Sequence, residues 1–214
     1  MKNMKRIALV VAITLLLGCA IGGTLAWLID DTVPVVNTFT SSDVEITLDE
    51  SDVDNSTDDK DRDTSNSYKM VPGATITKDP KVTVETGSED CWLFVKVVKS
   101  ANYDTYLEPY NVISATWTLL TDDNITDNNV AVYYYNENSN TTATAGTSRY
   151  ILTGDNNGSV KVKNGVTKQQ MEAIKTSGMP TLTFTAYAIQ KANLVNSDNS
   201  SVNTPEEAWA LIGN

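Results

Sequence analysis

The chain reads as a mainly β protein, an antiparallel sandwich with two short helices behind an N-terminal signal helix. Three observations predict it: short runs of alternating apolar residues, turn chemistry between them, and a composition rich in Thr, Asn, Asp, Ser and Val. With 214 residues and 41% hydrophobic content the chain can fill one core.

The strand signals come in order. Val44, Ile46 and Leu48 alternate, as do Val82 and Val84. The strongest apolar block is Cys91 to Val98, with Cys91, Leu93, Val95 and Val97 on one face and Trp92, Phe94 and Lys96 on the other. Further candidates are Ala115 to Leu120, Val130 to Tyr135, Arg149 to Leu152, Ser159 to Lys163 and Leu182 to Ile189. Pro72-Gly73, Asp155-Asn156-Asn157-Gly158 and Asn164-Gly165 supply turns between them. Asn136 to Gly146 is of low complexity and reads as a loop. Residues 49 to 68 read as an exposed acidic loop, since ten acids lie between Asp43 and Asp63 and little is apolar between Leu48 and Tyr68.

Two capping boxes predict the helices. Thr167 with Gln170 opens one, and Thr204-Pro205-Glu206-Glu207 opens the other. Trp209 and Ile212 share a face of the second, which is expected to close one end of the sandwich.

The first residues carry Lys2, Lys5 and Arg6, followed by an uncharged run from Ile7 to Ile29. A positive start and an apolar stretch mark a secretory signal over 1–26, long enough to stay as an uncleaved membrane anchor. Small residues at Thr24 and Ala26 place cleavage between Ala26 and Trp27. Leu16-Leu17-Gly18-Cys19 offers a rival, a lipobox that would lipidate Cys19.

The chain contains 16 basic and 27 acidic residues; removing the three basic residues of 1–26 leaves 13 against 27, a net charge of −14. Such a surface repels phosphate backbones and argues against nucleic-acid partners. There is no histidine, so neither an imidazole base nor a His-x-x-x-His zinc site can form. Beyond the signal segment Cys91 is the single thiol, and its alternation with Leu93 and Val95 places it in the core. No catalytic residue is expected and no cofactor. Calcium has one candidate, Asp59-x-Asp61-x-Asp63, which starts like an EF-hand loop. Thr64 then stands where the sharp turn wants Gly, and Met70 where a bidentate Glu is needed.

Residues 27–40 form an apolar, strand-capable arm (or a first strand) containing Leu28, Ile29, Val33, Val35, Val36 and Phe39. Folded back, it would complete its own sheet; freed by cleavage, it could pair with a neighbour's.

Several motifs carry a family resemblance. They are Gly22-Gly23-Thr24-Leu25-Ala26-Trp27-Leu28-Ile29-Asp30-Asp31, Asn37-Thr38-Phe39-Thr40 and Val44-Glu45-Ile46. Val71-Pro72-Gly73, Lys78-Asp79-Pro80, the block Glu89 to Val97, Ala186 to Gln190 and Ala208-Trp209 extend the match. Together they resemble the TasA/camelysin family of Gram-positive bacteria. The resemblance implies a signal cut by a SipW-type peptidase, a jelly-roll-like sandwich, secretion to the cell surface or biofilm matrix, and self-association into fibres by donation of the N-terminal strand. A monomeric adhesin, with the Asn/Thr-rich and acidic loops as its contact surface, is the alternative. The protease that the camelysin name implies lacks its histidines here. The acidic insert at 49–68 and Cys19 depart from the family pattern.

Overall fold

The computed structural model describes residues 43–54 and 61–212, apart from the side chain of Asn156. Ala26, Trp27, the arm residues Leu28, Ile29, Val33, Val35, Val36 and Phe39, and Asp59 lie outside this range.

Among the described residues ten strands follow one another: β1 (Ile46–Ser51), β2 (Arg62–Asp63), β3 (Thr75–Thr77), β4 (Lys81–Val84), β5 (Cys91–Lys99), β6 (Trp117–Leu119), β7 (Val130–Tyr135), β8 (Ser148–Tyr150), β9 (Ser159–Lys161) and β10 (Leu182–Gln190). Three helices of the described residues are interspersed, α1 (Tyr103–Tyr106), α2 (Lys168–Ser177) and α3 (Pro205–Ile212). All ladders are antiparallel. They form one sheet in the order β2-β1-β4-β8, a second in the order β10-β5-β7-β6, and a small β3-β9 pair. The two larger sheets pack face to face as the expected sandwich.

Alternation explains the core. From β5, Leu93, Val95 and Val97 meet Val82 and Val84 of β4, with Ile151, Leu152 and Val162 completing the filling. Cys91 belongs to this core with no exposed surface, as its alternation predicts. The opposite face of β5 is buried as well: Trp92 and Phe94 sit in a second cluster with Val132, Val202, Ala208 and Trp209. A strand in the middle of a sheet covered on both faces reads as a continuous apolar run, as β5 does.

That second cluster corrects the expected place of the last helix. α3 lies against the outer face of the β10-β5 ladder, not across an end of the sandwich. The Trp209 ring stands 5.4 Å from Phe94 and 5.3 Å from Tyr187, and large aromatic faces on the outside of β5 and β10 give it this seat. Its cap is the predicted one: Thr204 Oγ1 accepts from the Glu207 N–H, and Glu207 Oε2 accepts from the Thr204 N–H. Thr167 and Gln170 form the reciprocal box at the start of α2. α1 carries no sequence signal beyond Asp104 in its turn. Burial of Tyr103 and Tyr106 holds it.

The exposed acidic loop expected over 49–68 needs a larger correction. β1 runs on through Asp49, Glu50 and Ser51, and Arg62–Asp63 returns to pair with Glu50 and Ser51. Glu50 and Asp63 are buried. Arg62 is the reason. Its guanidinium bonds Asp49 Oδ1 at 2.5 Å and Asp79 Oδ2 at 2.9 Å, and donates to the carbonyls of Asp49 and Asp79. A cation with five donors in a fixed fork can draw acidic chain inward where acids alone would stay in water.

Candidate functional site

The two sides of the sandwich differ. On one, the sheets are laced together: the Ile113 N–H donates to the Ile151 carbonyl at 2.9 Å, Val112 bridges Leu152, and the Trp117 indole N–H donates to the Tyr150 carbonyl at 2.8 Å. On the other, β1 faces β10, and among the described residues no backbone hydrogen bond joins them.

Hydrogen-bond parity shows what this open side offers. Ser100 N–H donates to Thr181 O and Lys191 N–H to Asp90 O, so the odd-numbered residues of β10 direct their backbone groups at β5. Leu182, Phe184, Ala186 and Ala188 therefore turn theirs outward, while their side chains pack against the core. On β1, Glu85 N–H donates to Glu45 O, so Ile46 and Leu48 likewise turn away from β4. β2 covers only Glu50 and Ser51. Among the described residues, two strand edges thus have no backbone partner, over Ile46 to Leu48 and over the length of β10.

Between them lies a groove of about 840 Å³. Its walls are apolar, with Ile46, Leu48, Met70, Ile76, Leu182, Phe184 and Ala186. One end is charged. Lys78 Nζ bonds both Glu50 oxygens, at 2.8 and 3.0 Å, and lies 5.2 Å from the Tyr68 ring centre and 5.4 Å from that of Phe184. The side chains of Lys78 and Glu50 are only 12% and 10% exposed, so the pair is mostly desolvated. Burial, and then the Glu50 carboxylate, pushes the Tyr68 hydroxyl far above its ordinary pKa. A φ of 151° lets Gly158 pass under Lys78, where an added Cβ would stand 2.1 Å from the Lys78 carbonyl. None of these groups is a nucleophile poised beside a base.

Cys91 is no better placed for chemistry. Burial, with Asp90 nearby, pushes its thiol up to about 11, and its Sγ lies 3.6 Å from the Ala143 carbonyl. The thiolate is the reactive form, so this cysteine is inert.

Of the calcium candidates, Asp61 is exposed and Asp63 is buried. The structure brings Asp63 together with Asp52 and Asp54, whose carboxylate oxygens lie within 4.8 Å of one another. This grouping comes from the β1–β2 turn and not from alternation along 59–63, so the EF-hand spacing did not reveal it. Hard cations take six to eight oxygens of this type when bound as calcium, and the described carboxylates supply three residues. The Asn136 to Gly146 segment is tied down more than its composition suggests. Ala143 is fully buried and bridged to Cys91, and Lys191 Nζ holds the hydroxyls of Thr141 and Thr142.

The fold and the groove define a class, a sandwich laced on one side and open to a strand on the other. No protein-family model, curated protein or solved structure matches the chain. Among the described residues no helix is long and apolar enough to cross a membrane.

Proposed function

We propose that this is a secreted, non-catalytic structural protein of the cell surface or extracellular matrix, assembled when one copy adds a strand to the open side of the next. The observation that carries the reading is the nine-residue edge of β10, which borders an apolar groove and, among the described residues, pairs only with β5. Exposed edges of this length are normally covered or blunted, because they recruit other chains. Here the edge carries neither proline nor an inward charge.

Residues 27–40 have the chemistry of the missing strand. In extended form, Val33, Val35 and Phe39 share one face, and the arm reaches roughly 45 Å, enough to run along β10. Pro34 falls on the opposite face, where an added edge strand tolerates it. The N-terminal motifs that resemble the TasA/camelysin family support the same assembly, as well as export and cleavage after Ala26 by a SipW-type peptidase. The lack of histidine and the buried Cys91 support a role without catalysis.

The test compares the mature protein with a version starting after Thr40, by size analysis across a concentration series. Oligomers that vanish with the arm support the reading. A monomer indifferent to the arm sinks it, and leaves a monomeric surface-binding module.

A further inference from the structure

This inference rests on the strand-acceptor reading. We propose that Thr64–Met70 is a strap that stands in for the missing strand, and that residues 27–40 of a second copy must displace it to enter the groove.

The strap has a strand's side-chain pattern without a strand's ladder. Asn66, Tyr68 and Met70 are half-buried, whereas Ser65, Ser67 and Lys69 are exposed. Such alternation is that of an extended segment with one face inward. Asn66, Tyr68 and Met70 line the groove between β1 and β10. Yet Thr64–Met70 belongs to no sheet, and among the described residues its only bonded backbone N–H is that of Ser67, held by the Asp54 carboxylate at 2.6 Å.

Two partners therefore compete for one apolar seat. The strap fills it with a tyrosine and a methionine. An incoming strand can fill it and also satisfy the outward backbone groups of Phe184, Ala186 and their neighbours on β10. What holds the strap is chiefly side-chain bonding, with Asn66 donating to the Ser51 carbonyl and the Asp63 carboxylate and accepting from the Val53 N–H; beyond that anchor its backbone, with few hydrogen bonds, opens at less free energy than a paired strand does. It covers apolar surface in the free protein and gives way to a partner that offers a ladder. Premature, unselective edge pairing is thereby restrained.

The experiment adds a fluorescent peptide of residues 27–40 to the full mature chain and follows binding by anisotropy. In parallel, trypsin cleavage after Lys69 is timed with and without peptide. Peptide binding is expected to speed cleavage at Lys69 several-fold, since the displaced strap becomes accessible. Tyr68→Ala is expected to tighten peptide binding roughly tenfold, because the closed state no longer competes. Tyr68→Phe, which keeps the ring in the groove, is expected to bind like the parent protein. Peptide binding with an unchanged or slower cleavage at Lys69, or an unaltered affinity in Tyr68→Ala, overturns the strap while leaving the acceptor edge standing. A peptide that binds neither protein overturns both.

Discussion

At the scale of single residues, the acidic stretch after β1 is organised by two cations. Lys78 holds Glu50, and Arg62 joins Asp49 to Asp79. Removing one member of a desolvated pair leaves the other charge unmatched, which is more harmful than losing the attraction. Lys78→Met is therefore expected to destabilise the fold by about 3 kcal/mol, and adding Glu50→Gln to recover much of it, as read from urea midpoints. Asp79 adds a pH dependence. Burial works to raise its carboxyl, but the Ser51 N–H and the Arg62 guanidinium outweigh burial and hold it below its ordinary value of 3.8. A carboxylate depressed in the folded state contributes stability above the unfolded value and loses it as pH falls through the folded one. Urea midpoints are thus expected to drop below about pH 4, with a shallower drop in Asp79→Asn. An acid limb of equal depth in that variant would show the contribution to lie elsewhere.

At the scale of elements, α3 is held by aromatic packing and by its cap. Trp209→Ala removes the ring that fills the space beside Phe94 and Tyr187, and is expected to cost about 3 kcal/mol while releasing the helix from the sheet. Thr204→Ala should cost about 1 kcal/mol, since only the capping oxygen is lost. Amide exchange over Ala208 to Ile212 would separate the two: fast in the first variant, little changed in the second. The caps, the alternation of β5 and β10 and the core place of Cys91 were legible in the sequence, because each follows from neighbours a few positions apart. α1 was not. Its four residues YDTY carry no helical period, and burial of Tyr103 and Tyr106 against the sheets makes the turn.

At the scale of the whole molecule, the difference between the two sides of the sandwich matters most. The bonds from Ile113 and Trp117 close one side, while on the other no backbone bond joins β1 and β10 among the described residues. An inward charge placed on the β10 edge should block strand addition. Thr185 of β10 is exposed, and alternation along the strand puts its side chain on the face opposite to those of Phe184 and Ala186. Ala186→Lys, by contrast, directs an ammonium group into the groove. It is expected to abolish arm-dependent oligomers in size analysis, whereas Thr185→Lys leaves them intact. Loss of assembly in both, with both folded, would place the contact on another surface.

The sequence alone determined what depends on local order: β-strands of period two, two capped helices, a strongly negative net charge, and the lack of any imidazole. It also marked residues 27–40 as an apolar arm. Tertiary structure decided what depends on distant residues meeting. Arg62 folded part of an acidic stretch into the β1–β2 turn, Asp63 joined Asp52 and Asp54, and α3 took an outer face of the sandwich. The groove belongs to this second kind. Whether a strand edge is free depends on where every other strand has gone, and no alternation within Leu182–Gln190 encodes that.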